Sequence, residues 1–231
     1  MDNRSVDVII PALNEEASIG KVIKDLPKEL IREVIVVDNG SSDLTANKAK
    51  EAGATVLSQP IRGYGRACLT GMEYLEKKDV PYAVLFLDGD YSDYPEESKD
   101  ILKPVLKGTH DFVLGSRALG KSEKGSMTSV QRFGNWLATG LIKKIHNGEF
   151  TDLGPFRAIT WKALMDLEMR DKNYGWTIEM QIKAIKNKLR VKEVPVKYRN
   201  RIGKSKVSGT FQGSIKAGFK ILFTLTKHSV L

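Results

Sequence analysis

Short apolar runs alternate with helix-patterned stretches through the first half of this chain, and nothing else in the sequence restricts the fold as much. Residues 6–11, 33–38, 55–57, 82–87 and 111–115 read as strands, and 18–24, 43–52, 65–78 and 95–107 as the helices between them. Such βαβ alternation gives a mostly parallel sheet with helices on its faces. Asp43 stands beside a helix start and Gly53 where that helix would stop. After residue 129 the pattern turns helical, with Val130, Phe133, Leu137, Leu141 and Ile145 at spacings of three and four, a stripe expected to be core. A helix over 177–188, an alternating strand over 191–198 and a final helix complete the reading. The 231 residues fit one α/β domain over 1–209 with an appended amphipathic helix over 210–231.

An apolar fraction of 41% and a charged fraction of 28% belong to an ordinary globular protein and argue against disorder. The first residues run straight into a strand without a leader pattern, and no apolar run approaches the roughly 20 residues that span a bilayer. One cysteine, Cys68, leaves no internal disulfide and suits a reducing cytosol, so a cytoplasmic location is expected, with peripheral contact at the membrane face. The net charge of +9 predicts an anionic partner. Basic residues concentrate after Arg117, and neither a zinc-finger spacing nor an RNA-recognition strand pattern is present, which argues against nucleic acid.

Four polar clusters fall where predicted strands end, the rim at which open α/β sheets bind ligands. They are Pro11-Ala12-Leu13-Asn14-Glu15-Glu16, Asp38-Asn39-Gly40-Ser41-Ser42-Asp43, Asp88-Gly89-Asp90 and Gly115-Ser116-Arg117. Each has an ordinary alternative: a helix cap, a turn, a pair of solvated acids, a surface ion pair. Their recurrence at successive strand ends argues for one site. Gly89 lets the chain turn so that Asp88 and Asp90 can approach one hard cation. The three histidines form no zinc spacing.

These motifs resemble the nucleotide-sugar-binding half of the family-2 glycosyltransferases of GT-A fold, and more narrowly the polyprenyl-phosphate branch typified by dolichyl-phosphate mannose synthase. The resemblance covers residues 6–209. It implies that Pro11, Leu13, Asn14 and Glu15 line a nucleoside pocket and that Asp38 meets the base. Asn39 stands where the family usually has a second aspartate. Asp88, Gly89 and Asp90 match the Asp-x-Asp element that binds the donor diphosphate through Mg²⁺ or Mn²⁺, with Ser92 at the position of a further polar ligand. The segment Arg62-Gly63-Tyr64-Gly65-Arg66 resembles a glycine-rich loop over the donor, and Gly65 is assigned to it. Arg117 and Arg132 resemble the arginines that hold an acceptor phosphate, and Asp152–Arg157 resembles a Gly-Phe-Arg segment. Residues 198–206 resemble an Arg-x-x-Gly-x-Ser-Lys element near the donor phosphates. Ser205 and Lys206 match cleanly there, whereas the arginine is either Arg201 or, one register away, Arg199.

The implied function is metal-dependent, inverting transfer of a sugar from a UDP- or GDP-linked donor to a polyprenyl phosphate, with Asp90, Arg117 and Arg132 carrying the chemistry. A phosphate acceptor is already anionic near neutral pH and needs no general base, and the additional acid and Gln-x-x-Arg-Trp segment of processive synthases are absent. Transfer to a hydroxyl of a soluble or glycan acceptor, or nucleotide binding with little turnover at a lipid surface, are the other readings. A dinucleotide fingerprint fails because its third glycine is Cys68, and a phosphate-binding loop ending at Lys204 fails because Tyr198 replaces its first glycine. In the last helix Phe211, Ile215, Phe219, Leu222 and Leu225 share a stripe roughly opposite Lys216, Lys220 and Lys227, a pattern suited to core packing or to an anionic membrane surface.

Overall fold

The computed structural model describes residues 4–203. Ser205, Lys206 and the whole of the expected carboxyl-terminal helix lie outside the described residues.

Seven strands form one sheet: β1 (Val6–Ala12), β2 (Glu33–Asp38), β3 (Thr55–Ser58), β4 (Ala83–Phe86), β5 (Phe112–Ser116), β6 (Arg157–Thr160) and β7 (Val191–Pro195). Their order is β3-β2-β1-β4-β6-β5-β7. The helices are α1 (Ile19–Asp25), α2 (Thr45–Glu51), α3 (Tyr64–Glu76), α4 (Ser98–Leu106), α5 (Ser129–His146), α6 (Trp161–Asp166) and α7 (Trp176–Lys186).

Alternation along the strands sends successive side chains to opposite faces, and both faces are buried. Ile9, Ile35, Val84, Phe86 and Leu114 pack beneath α3, α5 and α7, while Val8, Ile10, Val36, Leu85 and Val113 pack against α1, α2 and α4. The GT-A architecture is therefore a helix–sheet–helix sandwich. β1 lies between β2 and β4 and is parallel to both. The chain winds outward to β3 and then returns to the other side of β1. This reversal leaves a crevice beyond the carboxyl ends of β1 and β4, where ligands bind in such sheets.

Two expectations need correction. The stretch after residue 129 is not all helix before residue 191: β6 runs antiparallel between β4 and β5, with Arg157 opposite both Phe86 and Leu114. The stripe on α5 is not core, since Val130 is 58%, Phe133 60% and Ile145 43% exposed, and Leu137 and Leu141 are only half-buried. Helical spacing places residues on a common face without saying which face meets the protein. Here the side of the helix turned to the protein, where it meets α7, is the one carrying Ala138, Thr139 and Ile142. Thr128 and Gln131 close a capping box that fixes the helix start.

Candidate active site

A cleft of about 740 Å³ opens at the β1/β4 crevice. Pro11, near the end of β1, and Leu13, Asn14 and Glu15, which follow it, line one wall of it. Asn14 takes a left-handed backbone conformation (φ 54°), its N–H donates to Ser41 Oγ, and its Oδ1 accepts from the Ser42 N–H at 2.8 Å. Glu15 N–H donates to Thr45 Oγ1 at 2.7 Å. The loops after β1 and β2 are thus joined rung by rung. Asp38 does not line the cleft, and its Oδ1 accepts from the Ser41 N–H at 3.1 Å.

Asn39 does line it, and is nearly fully buried. Its amide donates to the carbonyls of Gln59 and Ile61 at 2.8 and 2.9 Å, and its Oδ1 accepts from the Gly63 N–H at 2.7 Å. A carboxylate could not donate to those two carbonyls, which accounts physically for a neutral residue here. Gly65 is buried away from the cleft: a Cβ would stand 1.9 Å from the Asp171 carbonyl oxygen, so glycine is required for the close approach of α3 to the 171–173 loop.

Asp88, Gly89 and Asp90 follow β4 and line the floor. Burial, with the Asp90 charge beside it, pushes the Asp88 carboxyl up to about 7. Tyr64 hydrogen-bonds to it, and Asp88 Oδ1 is buried without a partner. Asp90 is fully engaged: Oδ1 accepts from Ser92 N–H at 2.9 Å and Ser92 Oγ at 2.6 Å, while Oδ2 meets Arg201 Nη2 at 2.9 Å. Ser92 therefore serves as a brace for Asp90. Of the two arginines offered by the motif, Arg201 faces the cleft, whereas Arg199 stacks between Tyr91 and Tyr94 at 3.4 and 4.1 Å from their ring centres. Asp93 is buried with both oxygens unpartnered among the described residues, and burial together with the Asp88 charge holds its carboxyl well above the usual range.

The orphaned Asp88 oxygen and the hard carboxylate pair fit a Mg²⁺- or Mn²⁺-type ion. Among the described residues no three His, Cys, Asp or Glu side chains converge on one point. Two carboxylates completed by substrate phosphate and water are the usual protein share of such a site.

Arg117 stands where the cleft meets a second cavity of about 590 Å³, and it lines both. Asp152 clamps it: Oδ2 accepts from Arg117 N–H and Nε at 2.7 and 2.8 Å, and Oδ1 from Nη2 at 2.6 Å. Burial works to raise the Asp152 carboxyl, but the guanidinium more than offsets it and holds the group below its usual range. Behind Asp152, Glu193 accepts from the N–H groups of Thr151 and Asp152, and Gln181 donates to the Asp152 carbonyl. Arg132 lines the second cavity only, with Asn135, Trp136 and Phe150. The sequence motifs thus separate between the two cavities: Pro11 to Glu15, Asp88 to Asp90 and Arg201 line the larger cleft, Arg132 the second cavity, and Arg117 both.

Sequence reasoning missed the hydroxyl of Tyr64 on Asp88, the Asp152 clamp and the walls made by Tyr174 and Thr177. Tyr64 and Asp152 both sat inside motifs already singled out. Tyr174 and Thr177 carried no local signal.

The sheet, with its crevice and the paired carboxylates there, has the GT-A architecture. The glycosyl transferase family 2 model matches residues 7–167, and the chain belongs to that family. It is 34% identical to the uncharacterized protein MJ1222 of Methanocaldococcus jannaschii, over 96% of this chain and 91% of that one. It is 29% identical to the UDP-N-acetylglucosamine–dolichyl-phosphate N-acetylglucosaminyltransferase of Methanococcus voltae, over 97% of this chain and 96% of that one. In structure it resembles glucosyl-3-phosphoglycerate synthase of Mycobacterium tuberculosis, solved with Mn²⁺, UDP-glucose and phosphoglyceric acid. The TM-score is 0.79 at 23% identity, with 99% of this chain and 80% of that one covered.

Proposed function

We propose that the chain transfers a sugar from a nucleoside-diphosphate sugar to a polyprenyl phosphate, with inversion at the anomeric carbon. The observation that carries this reading is the acceptor-side cavity: two guanidiniums line it, and its one lining acid among the described residues, Asp152, has both oxygens committed to Arg117. That cavity can hold an anion but offers no free base to a hydroxyl. In this reading Arg117 and Arg132 hold the acceptor phosphate, whose oxygen attacks the anomeric carbon as the bond to the β-phosphate breaks and the nucleoside diphosphate leaves.

Asp88 and Asp90 would hold a Mg²⁺ or Mn²⁺ ion, which would offset charge on the departing diphosphate. Arg201, Ser205 and Lys206 would serve the same phosphates. Pro11, Leu13, Asn14 and Glu15 would receive the nucleoside. The relative that uses a UDP-linked donor and the structural neighbour holding UDP-glucose and Mn²⁺ support a uridine donor and a metal. A dolichyl-phosphate hexose transferase of Haloferax volcanii, 30% identical over 93% of this chain, supports the lipid acceptor.

Access to that lipid would come from a membrane surface. No helix among the described residues is long and apolar enough to cross a membrane. The exposed Val130, Phe133 and Trp136 form an apolar ridge on α5 beside the acceptor arginines, and Lys143 and Lys144 are exposed on the same helix, as docking on an anionic bilayer needs. The test is incubation with UDP- or GDP-sugars, Mn²⁺ and undecaprenyl or dolichyl phosphate, followed by mass spectrometry. A sugar-phospholipid is the expected product. Transfer to a soluble phosphorylated alcohol in its place would overturn the lipid acceptor while keeping the donor.

A further inference from the structure

Arg201 is paired with one of the two carboxylates that would hold a divalent cation. Its Nη2 lies 2.9 Å from Asp90 Oδ2, and Ser92 saturates the other oxygen of that carboxylate. The placement is set by the backbone. Ile202 N–H donates to the Asp90 carbonyl at 3.0 Å, Arg199 N–H to the Ser92 carbonyl at 2.9 Å, and the Arg199 guanidinium donates to the carbonyls of Tyr91 and Asp93 while stacked between Tyr91 and Tyr94. The 199–202 segment is thereby fastened along the 90–93 loop, and Arg201 is aimed at Asp90. Meanwhile Asp88 Oδ1 has no partner. One half of the acidic pair is neutralised by the chain's own cation and the other half is open.

A bare dication entering this centre would share Asp90 with a guanidinium a few ångströms away, and the two positive charges repel in a poorly solvated site. A dication arriving on a diphosphate brings its own anion. The phosphate oxygens offer Arg201 the paired acceptors that suit its planar fork, and Asp90 is released to the metal. We propose that Arg201 closes Asp90 to the free ion, so that the chain takes up its cation only as the metal–nucleotide complex, with Arg201 passing from Asp90 to the diphosphate. This rests on the nucleotide-sugar reading of the cleft.

The test measures Mn²⁺ binding directly, from the spin-resonance signal of the free aqueous ion, on the full chain without nucleotide. Arg201→Gln should bind free Mn²⁺ at least about ten-fold more tightly than the wild type, and UDP in the presence of Mn²⁺ several-fold more weakly, a pair of opposite shifts that general damage to the site would not produce. Arg201→Lys, which keeps the positive charge, should return free Mn²⁺ affinity towards the wild-type value. Unchanged or weaker free Mn²⁺ binding by Arg201→Gln overturns the proposal, as does UDP–Mn²⁺ affinity equal to that of the wild type. If no nucleoside diphosphate binds any of the three proteins, the functional reading fails, while the Mn²⁺ titration still decides whether Arg201 excludes the free ion.

Discussion

On the reading proposed above, the donor half of the site and its acceptor half are built differently. Around the crevice the segments after β1, β2 and β3 are cross-linked to one another: Asn14 to Ser42, Glu15 to Thr45, Asn39 to three backbone groups of residues 59–63. On the acceptor side Arg117 hangs on a single buried carboxylate, and Arg132 and the apolar ridge of α5 are exposed. Cross-linked loops hold a ligand of fixed shape. An exposed ridge beside two arginines suits a ligand that arrives embedded in another phase. The contrast predicts that donor-side substitutions disturb nucleotide binding or folding, whereas acceptor-side substitutions leave both nearly intact and strike transfer.

Asp90→Asn should have the largest effect, lowering transfer by at least about 100-fold, because a charge-stabilising contact is lost. Near-normal rates across a Mn²⁺ titration would remove Asp90 from the metal site. Arg132→Ala should lower transfer by about ten- to 100-fold while calorimetry finds donor affinity within about three-fold. Equal losses in both would dissolve the division between the halves. Arg117→Ala tests the same point less cleanly, since stranding buried Asp152 costs about 3–5 kcal/mol, so Arg117→Lys is the better probe.

On the donor side, Asn39→Asp should lower stability by about 1–3 kcal/mol in urea titrations, as two buried carbonyls lose their donor. Asp88 gives a smaller effect of opposite sign. Its carboxyl titrates near 7 in the fold against an ordinary 3.8, so the folded chain holds the proton more tightly. The stability it contributes is complete below about pH 4 and is lost as pH rises to about 7. Asp88→Asn should therefore melt higher than the metal-free wild type at pH 8 and lose this advantage near pH 4. Equal melting at pH 8 would mean that the acid is not confined as described. The smallest expected change is in membrane contact: Phe133→Glu with Trp136→Glu should weaken co-sedimentation with anionic vesicles several-fold. Unchanged sedimentation would move docking away from α5.

Much of the donor half could be read before folding. β1 to β5 fall within about two residues of their expected limits, because each is an apolar run closed by polar residues. The crevice was legible for the same reason, as strand ends carry the ligand groups in such sheets. β6 was not: Arg157–Thr160 is four residues long, begins with a buried arginine and passes directly into α6, so it has neither length nor period. The burial of Arg157, whose guanidinium donates to the carbonyls of Leu153, Gly154 and Thr177, depends on neighbours brought from both directions along the chain. The Arg201–Asp90 pair likewise joins residues far apart in sequence, and local pattern is silent about such contacts. For α5 the periodicity was right and the side was wrong, since small residues packed against the protein and large ones faced out.

Because β6 runs backwards, the chain leaves the sheet at Ser116 and re-enters it at Arg157 on the neighbouring strand, where Gly115 N–H meets the Phe156 carbonyl at 2.8 Å. Everything between is one excursion with its two feet side by side. Arg117, Arg132 and Asp152 all belong to it, so on the proposed reading the groups that would hold the acceptor form a cassette whose length can vary without altering strand register. On that reading a lineage could acquire a new acceptor by rewriting residues 117–156, provided Val130, Phe133, Leu137, Leu153 and Pro155, which also wall the main cleft, keep their shape.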